Sequence, residues 1–130
     1  MLETAIRDLA QGKNFGMLSF HLPSGQIASH VMWVDADDEH LLVNTEVHRL
    51  KYTSIAASPG VTIAIWDGQS PYRYAEVRGT FVDEVRGDQA RAHIDACSNR
   101  YTGVDYQGVI QSERVIMKIA PLRQRSHGLA

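Results

Sequence analysis

VTIAIWDGQSPYRYAEVRGTFVDEV, residues 61–85, is the stretch whose reading decides the fold. Val61 to Trp66 is a short run rich in β-branched residues, the composition of a partly buried strand. Ser70 and Pro71 open a longer run, Tyr72 to Val85. Within it Ala75, Val77, Phe81 and Val85 fall on one face, the period-two pattern of a strand. Gly79 lies on that face too, and marks a bulge or a barrel bend. The two runs are neighbours across a tight connection with no room for a crossover helix. That excludes the strand–helix–strand alternation of a doubly wound sheet.

The same pattern extends outward. Leu2, Ala5, Ile6 and Leu9 lie on one helical face, so residues 2–10 read as a short amphipathic helix stopped by Gly12. Phe15 to His21 reads as a strand, Pro23-Ser24-Gly25 as a turn, and Gln26 to Asp35 as a second strand. The acidic run Asp35 to Glu39 is a second turn, and His40 to Asn44 a third strand. Thr45 is a good helix N-cap and Glu46 suits a first turn, with Pro59-Gly60 ending that helix. Beyond the quoted pair, Asp88 caps a third helix with the stripe Ala90, Ile94, Cys97 and Tyr101. Residues 102–112 read as a loop, Val115 to Ala120 as the last strand, and Pro121 as its end. The expected architecture is mainly β (α+β): six strands in a small antiparallel barrel with three short peripheral helices, in one domain over residues 1–130.

The bulk numbers set the function classes. A chain of 130 residues with 44% hydrophobic residues is one ordinary globular domain. A net charge of -2 argues against nucleic acid as a general partner. The single cysteine allows no intrachain disulfide, which fits a reducing compartment. There is no signal-peptide core and no stretch near the roughly 20 apolar residues that span a bilayer, so a cytoplasmic protein off the membrane is expected.

Three stretches carry candidate chemistry. TEVHRLK, residues 45–51, gathers His48, Arg49 and Lys51 at the start of a helix. A helix N-terminus favours an anion, Arg adds a planar fork for phosphate oxygens, and Lys adds a point charge. On a regular helix Arg49 and Lys51 diverge by about 200°, so they share a ligand only if the first turn is irregular or the ligand wraps the helix end. The alternative is a solvated helix face. In HVMWVD, residues 30–35, Trp33 is either core or the neighbour of a flat heterocycle whose edge the strand backbone reads. In SPYRYAEVRG, residues 70–79, Tyr72, Arg73 and Tyr74 suit a ligand mouth, a subunit interface or plain surface packing.

Other motifs carry less. The six histidines are scattered, with no pair read at zinc-ligand spacing beside a Cys or an acid, so no metal is expected. The acids of DADDE, residues 35–39, lack the glycine and terminal glutamate of a calcium loop. No dinucleotide fingerprint, phosphate-binding P-loop or nucleophile elbow occurs. Cys97, on the buried stripe of its helix, reads as inert.

The order of the segments says more than any one of them. A strand ending in V-x-W, then HLLVNT, a short helix with R-x-K, SPGVTIAIWD and PYRYAEVRGTF together resemble the pyridoxamine 5′-phosphate oxidase-like split β-barrel proteins. Among these, the series is similar to the actinobacterial branch that uses the deazaflavin coenzyme F420, over residues 5–121. The resemblance implies a homodimer with cofactor sites between subunits and a cofactor phosphate at the helix after the third strand. Arg49 and Lys51 match the basic phosphate positions, with Asn44, Thr45 and His48 beside them. Val31, Met32 and Trp33 match residues flanking the deazaflavin ring, and Tyr72 an aromatic position near the ring. Where the family often continues K-V-R-N-L, this chain reads Lys51-Tyr52-Thr53-Ser54-Ile55. The missing Arg and Asn imply a shorter polyglutamate contact, or FMN in place of F420.

The implied activity is hydride transfer from reduced F420 to an electron-poor double bond of a small flat substrate. The proton comes from solvent or from a nearby side chain, with His30, His48 and Tyr72 as candidates. The competing readings are an FMN-dependent oxidoreductase and a non-catalytic F420 or flavin binder. A haem-handling barrel is less attractive, since no His is placed as an axial ligand.

Overall fold

A computed structural model describes residues 1–129. The elements, in chain order, are α1 (Thr4–Gln11), β1 (Phe15–His21), β2 (Ile27–Trp33), β3 (Asp35–Ala36), β4 (Leu41–Glu46), α2 (Leu50–Ala57), β5 (Gly60–Asp67), β6 (Ser70–Arg86), α3 (Asp88–Thr102) and β7 (Arg114–His127). All seven strands join one antiparallel sheet in the order β2-β1-β5-β6-β7-β4-β3, curled into a half-barrel. The expected six strands become seven because the segment read as Gln26 to Asp35 breaks at Val34. The Val34 N–H donates to the Tyr101 hydroxyl of α3. Its donor is spent on the helix, and Asp35 and Ala36 then pair with Leu42 and Leu41.

The interior is built from the alternation of the strands. Leu18, Phe20, Val34, Leu41, Val43, Ile63, Ile65, Ala75, Val77, Met117 and Ile119 form one buried cluster, closed by Ile6 and Leu9 of α1 and Ile55 of α2. Burying each of these side chains larger than alanine contributes about 1.5–3 kcal/mol. Helix α3 buries the stripe anticipated from its spacing, Ala90, Ile94, Cys97 and Tyr101. Gly79 stands at a register shift between β6 and β7. A Cβ there would lie 2.5 Å from the Ala120 carbonyl oxygen, so the bend requires a residue without one.

Three boundaries depart from the local signals. Thr45 does not cap α2: β4 continues through it, because β7 pairs Thr45 with Val115 and Glu46 with Arg114. The cap position belongs to Arg49, with extended φ -71° and ψ 146°. Pro121 does not end the last strand; it faces Gly79 at the shift, where a ladder donor is dispensable, and β7 runs on to His127. Asp88 occupies the first turn of α3 rather than its cap, which is Gly87 at φ 77°.

Candidate functional site

The strand register and the turn after β4 assemble a cleft of about 290 Å³. One wall is β2, with Val31, Met32 and Trp33; the other is Asn44 and Thr45 of β4 with Arg49, Lys51 and Arg114. His93, Ile94 and Cys97 of α3, with Tyr106, line the remainder. The Arg49–Lys51 divergence is resolved by backbone geometry. Arg49 precedes the helix in extended conformation, so it is free of the helical rotation and lines the cleft with Lys51. The two side chains reach one cleft because Arg49 lies outside the helix, and not because the first turn of α2 is irregular.

The basic corner is held in place by one buried acid. Glu46 side chain is 1% exposed, and its Oε1 accepts the backbone N–H groups of Gln111 (2.6 Å) and Ser112 (2.8 Å). Its Oε2 lies 3.5 Å from Arg114 and 3.8 Å from Arg49. Burial pushes the Glu46 carboxyl up, but the Ser112 and Gln111 N–H groups and the charges of Arg114 and His48 outweigh it and hold it below the usual carboxylate range. Arg114 is almost fully buried, donates from Nε to Asn44 Oδ1 (2.9 Å), and lies over the Tyr106 ring at 5.1 Å. Burial lowers Lys51, and the cations Arg49 and Arg114 lower it further. A site that works against the charge on its own lysine gains when an anion enters.

The aromatic wall is equally defined. Trp33 stacks on Tyr101 at 5.2 Å and 6°, and Tyr106 meets it edge-on at 6.2 Å and 84°. Tyr101 in turn stacks on Phe15 at 5.5 Å. Trp33 is therefore both a packing residue, through the face on Tyr101, and a wall of the cleft.

At the other end Asn44 connects the basic corner to α3. Arg114 Nε can only donate and the Ala90 carbonyl can only accept, so Asn44 turns Oδ1 to Arg114 and Nδ2 to Ala90 (2.9 Å). Nδ2 then also faces His93 Nδ1 at 2.9 Å, which leaves His93 its proton on Nε2, 2.9 Å from Asp35 Oδ2. Burial opposes a second proton on His93, but hydrogen bonds to Asp35 and Cys97 raise it to about 9. That second proton would sit on Nδ1 against the Asn44 NH2, so the amide opposes the charged form that Asp35 favours. Burial raises Asp35, while His93 and Arg100 bring it net below the usual carboxylate range.

Of the residues singled out in the sequence, Val31, Met32, Trp33, Asn44, Thr45, Arg49 and Lys51 all line this cleft. His48 lines an adjoining groove of about 680 Å³ with His30, Val31, Arg49, Leu50 and Lys51. The Thr45 hydroxyl is fully covered and has no hydrogen-bond partner among the described residues. Thr45 alternates with Asn44 and shares the strand face of buried Val43, so in this conformation its hydroxyl offers nothing to a ligand. Tyr72 is 78% exposed at the start of β6 and is not part of the cleft wall. The sequence reading missed Arg114, Tyr106, His93 and Cys97. The His93–Cys97 spacing of four residues on one helix face was the available signal for the last two.

No protein-family model and no curated protein matches the chain. Solved structures do. An F420 reductase is 29% identical with a TM-score of 0.77, over 96% of this chain and 98% of that one. A putative pyridoxamine 5′-phosphate oxidase from Listeria innocua is 20% identical with a TM-score of 0.65, over 91% of this chain and 90% of that one. An FAD-binding protein from Mesorhizobium loti is 18% identical with a TM-score of 0.67, over 95% of this chain and 92% of that one. The chain thus has the split-barrel fold of the pyridoxamine 5′-phosphate oxidase-like proteins, and the resemblance read in its sequence, to that group and its F420-using branch, holds in three dimensions.

Proposed function

We propose that the protein is an F420-dependent oxidoreductase that works as a homodimer. The observation that carries this reading is the convergence of Arg49, Lys51 and Arg114 on one cleft whose opposite wall is Val31 to Trp33. A ribityl phosphate fits the cationic corner, and a planar ring fits the strand and aromatic wall. Reduced deazaflavin, when bound, supplies a hydride to an electron-poor double bond of a small flat substrate.

The protein's share is positioning. Arg49 and Lys51 hold the phosphate, Arg114 supplies the buried charge behind them, and Glu46 keeps Arg114 in place. Val31 and Met32 present strand backbone to the ring edge, and Trp33 shields it from water. The groove past His48 and His30 continues from the phosphate corner and offers a path for an acidic tail, which favours F420 over FMN. Val31 is 60% exposed on a strand at the edge of the sheet, and a second subunit would cover it and close the cleft. Tyr72 would enter a site only across such a boundary.

Fluorescence titrations with F420 and FMN, side by side, test the reading. Arg49→Ala with Lys51→Ala is expected to weaken cofactor binding about a hundredfold, two charged contacts at about 1.5 kcal/mol each, with the fold intact. Unchanged affinity overturns the phosphate site, tighter FMN than F420 selects the flavin reading, and a monomer in sedimentation overturns the shared cleft.

A further inference from the structure

We propose that Asp35, His93 and Cys97 form a binding site for a divalent transition ion of the Zn²⁺ class, beside the cleft. Their donor atoms all lie within 4.8 Å of one another. His93 and Cys97 sit one turn apart on α3, and Asp35 comes from the two-residue strand β3. A tetrahedral zinc with bonds of about 2.3 Å to sulfur and 2.0–2.1 Å to nitrogen and oxygen separates S from N by about 3.6 Å and N from O by about 3.3 Å. The structure has Cys97 Sγ 3.6 Å from His93 Nε2, and His93 Nε2 2.9 Å from Asp35 Oδ2. The S–N edge already has tetrahedral length, and the N–O edge needs to open by a few tenths of an ångström.

The surroundings suit three protein ligands and one open position. Arg100 NH2 donates to Asp35 Oδ1 at 2.7 Å and leaves Oδ2 for a metal. Arg100 is itself anchored on the Val34 carbonyl at 2.9 Å, so the carboxylate is fixed from behind. His93 and Cys97 line the cleft, which gives the fourth position to water or a small ligand. Thiolate, imidazole and carboxylate together select zinc or its neighbours over magnesium and calcium. Binding at Sγ and Nε2 releases the Cys97 proton and the Nε2 proton of His93, so metal affinity rises with pH.

The site is independent of the cofactor reading and so is its test. Chelator-treated protein is titrated with Co²⁺, followed by the thiolate-to-cobalt charge-transfer band in the near ultraviolet, and Co²⁺ is then displaced with Zn²⁺. One equivalent is expected, with the band abolished in Cys97→Ser and affinity at least tenfold weaker in His93→Gln. The Arg49→Ala, Lys51→Ala protein should bind Co²⁺ as the wild type does, whatever its cofactor affinity. Cys97 is the sole cysteine, so Zn²⁺ should also slow thiol labelling of the wild type, a readout that needs no variant to fold. Absence of the band, a band retained in Cys97→Ser, or labelling indifferent to Zn²⁺ overturns the proposal.

Discussion

Arg114→Met separates the structural and the ligand-binding parts of the basic corner. The guanidinium has 5% of its side chain exposed beside a carboxylate with 1% exposed. Removing one partner of a buried pair costs about 3–5 kcal/mol, mostly because the other charge is left without compensation. Here the lower end applies, since Glu46 keeps the Gln111 and Ser112 N–H groups. The loss also strips Asn44 Oδ1 of its donor and Tyr106 of its cation. About 3 kcal/mol should lower the melting temperature by roughly 10 °C for a domain of this size. Glu46→Gln in the same background removes the stranded charge while its amide oxygen still accepts an N–H. The double variant should therefore be more stable than Arg114→Met alone, a non-additivity readable in a double-mutant cycle by thermal or urea unfolding. Acid unfolding gives a second readout. Glu46 has a depressed folded-state pKa, so its contribution is present above its unfolded value and lost as pH falls through the folded value. Without Arg114 that folded value rises, and the acid transition should move to higher pH. A single variant as stable as the wild type, or a double variant that is purely additive, refutes the account of Glu46 as an acid held by Arg114.

Two further outcomes follow from the same corner. Thr45→Val replaces a covered, unpartnered hydroxyl with an isosteric methyl and should stabilise the ligand-free protein by about 1 kcal/mol, with cofactor affinity unchanged; tenfold weaker binding in a fluorescence titration would show that the hydroxyl reaches the phosphate. Lys51 is lowered by burial and by Arg49 and Arg114, and a bound phosphate raises it again, so the complex holds more protons than the free protein. Cofactor affinity should then fall as pH rises through the depressed Lys51 value, and Lys51→Ala should flatten that part of the profile; an identical slope in the variant assigns the titration elsewhere.

What could be read in advance was what local pattern determines. The alternation of Val61, Ile63 and Ile65, the stripe of α3 and the bend at Gly79 are each set within a few residues, and each stands in the structure. The boundaries that moved did so because a distant strand competed for the backbone. Thr45 has the side chain of a helix cap, but Val115 of β7 claims its place in a ladder. Pro121 looks like a stop until it is placed opposite the one glycine where the ladder has already slipped.

The same competition explains which functional residues stayed hidden. Arg49 and Lys51 belong to one short stretch and announce a basic corner by themselves. Arg114 lies 68 residues from Glu46 in sequence and is brought opposite it only by the β4–β7 register. Nothing near Arg114 marks it, because its neighbours in sequence are a loop and an apolar strand. His93 was hidden differently: its helix shows a clean apolar stripe, and a polar residue on the stripe's border reads as surface. The fold makes it the link between Asp35 and Asn44, and Asn44 the link to Arg114. One amide thereby joins the two ends of the cleft, and its orientation is fixed, because reversing it would lose the bonds to both Arg114 and Ala90. The chain carries a net charge of -2, yet this corner is cationic, because the register gathers basic residues from separate segments around a single acid. Local charge of that kind is a property of strand pairing, and composition alone does not contain it.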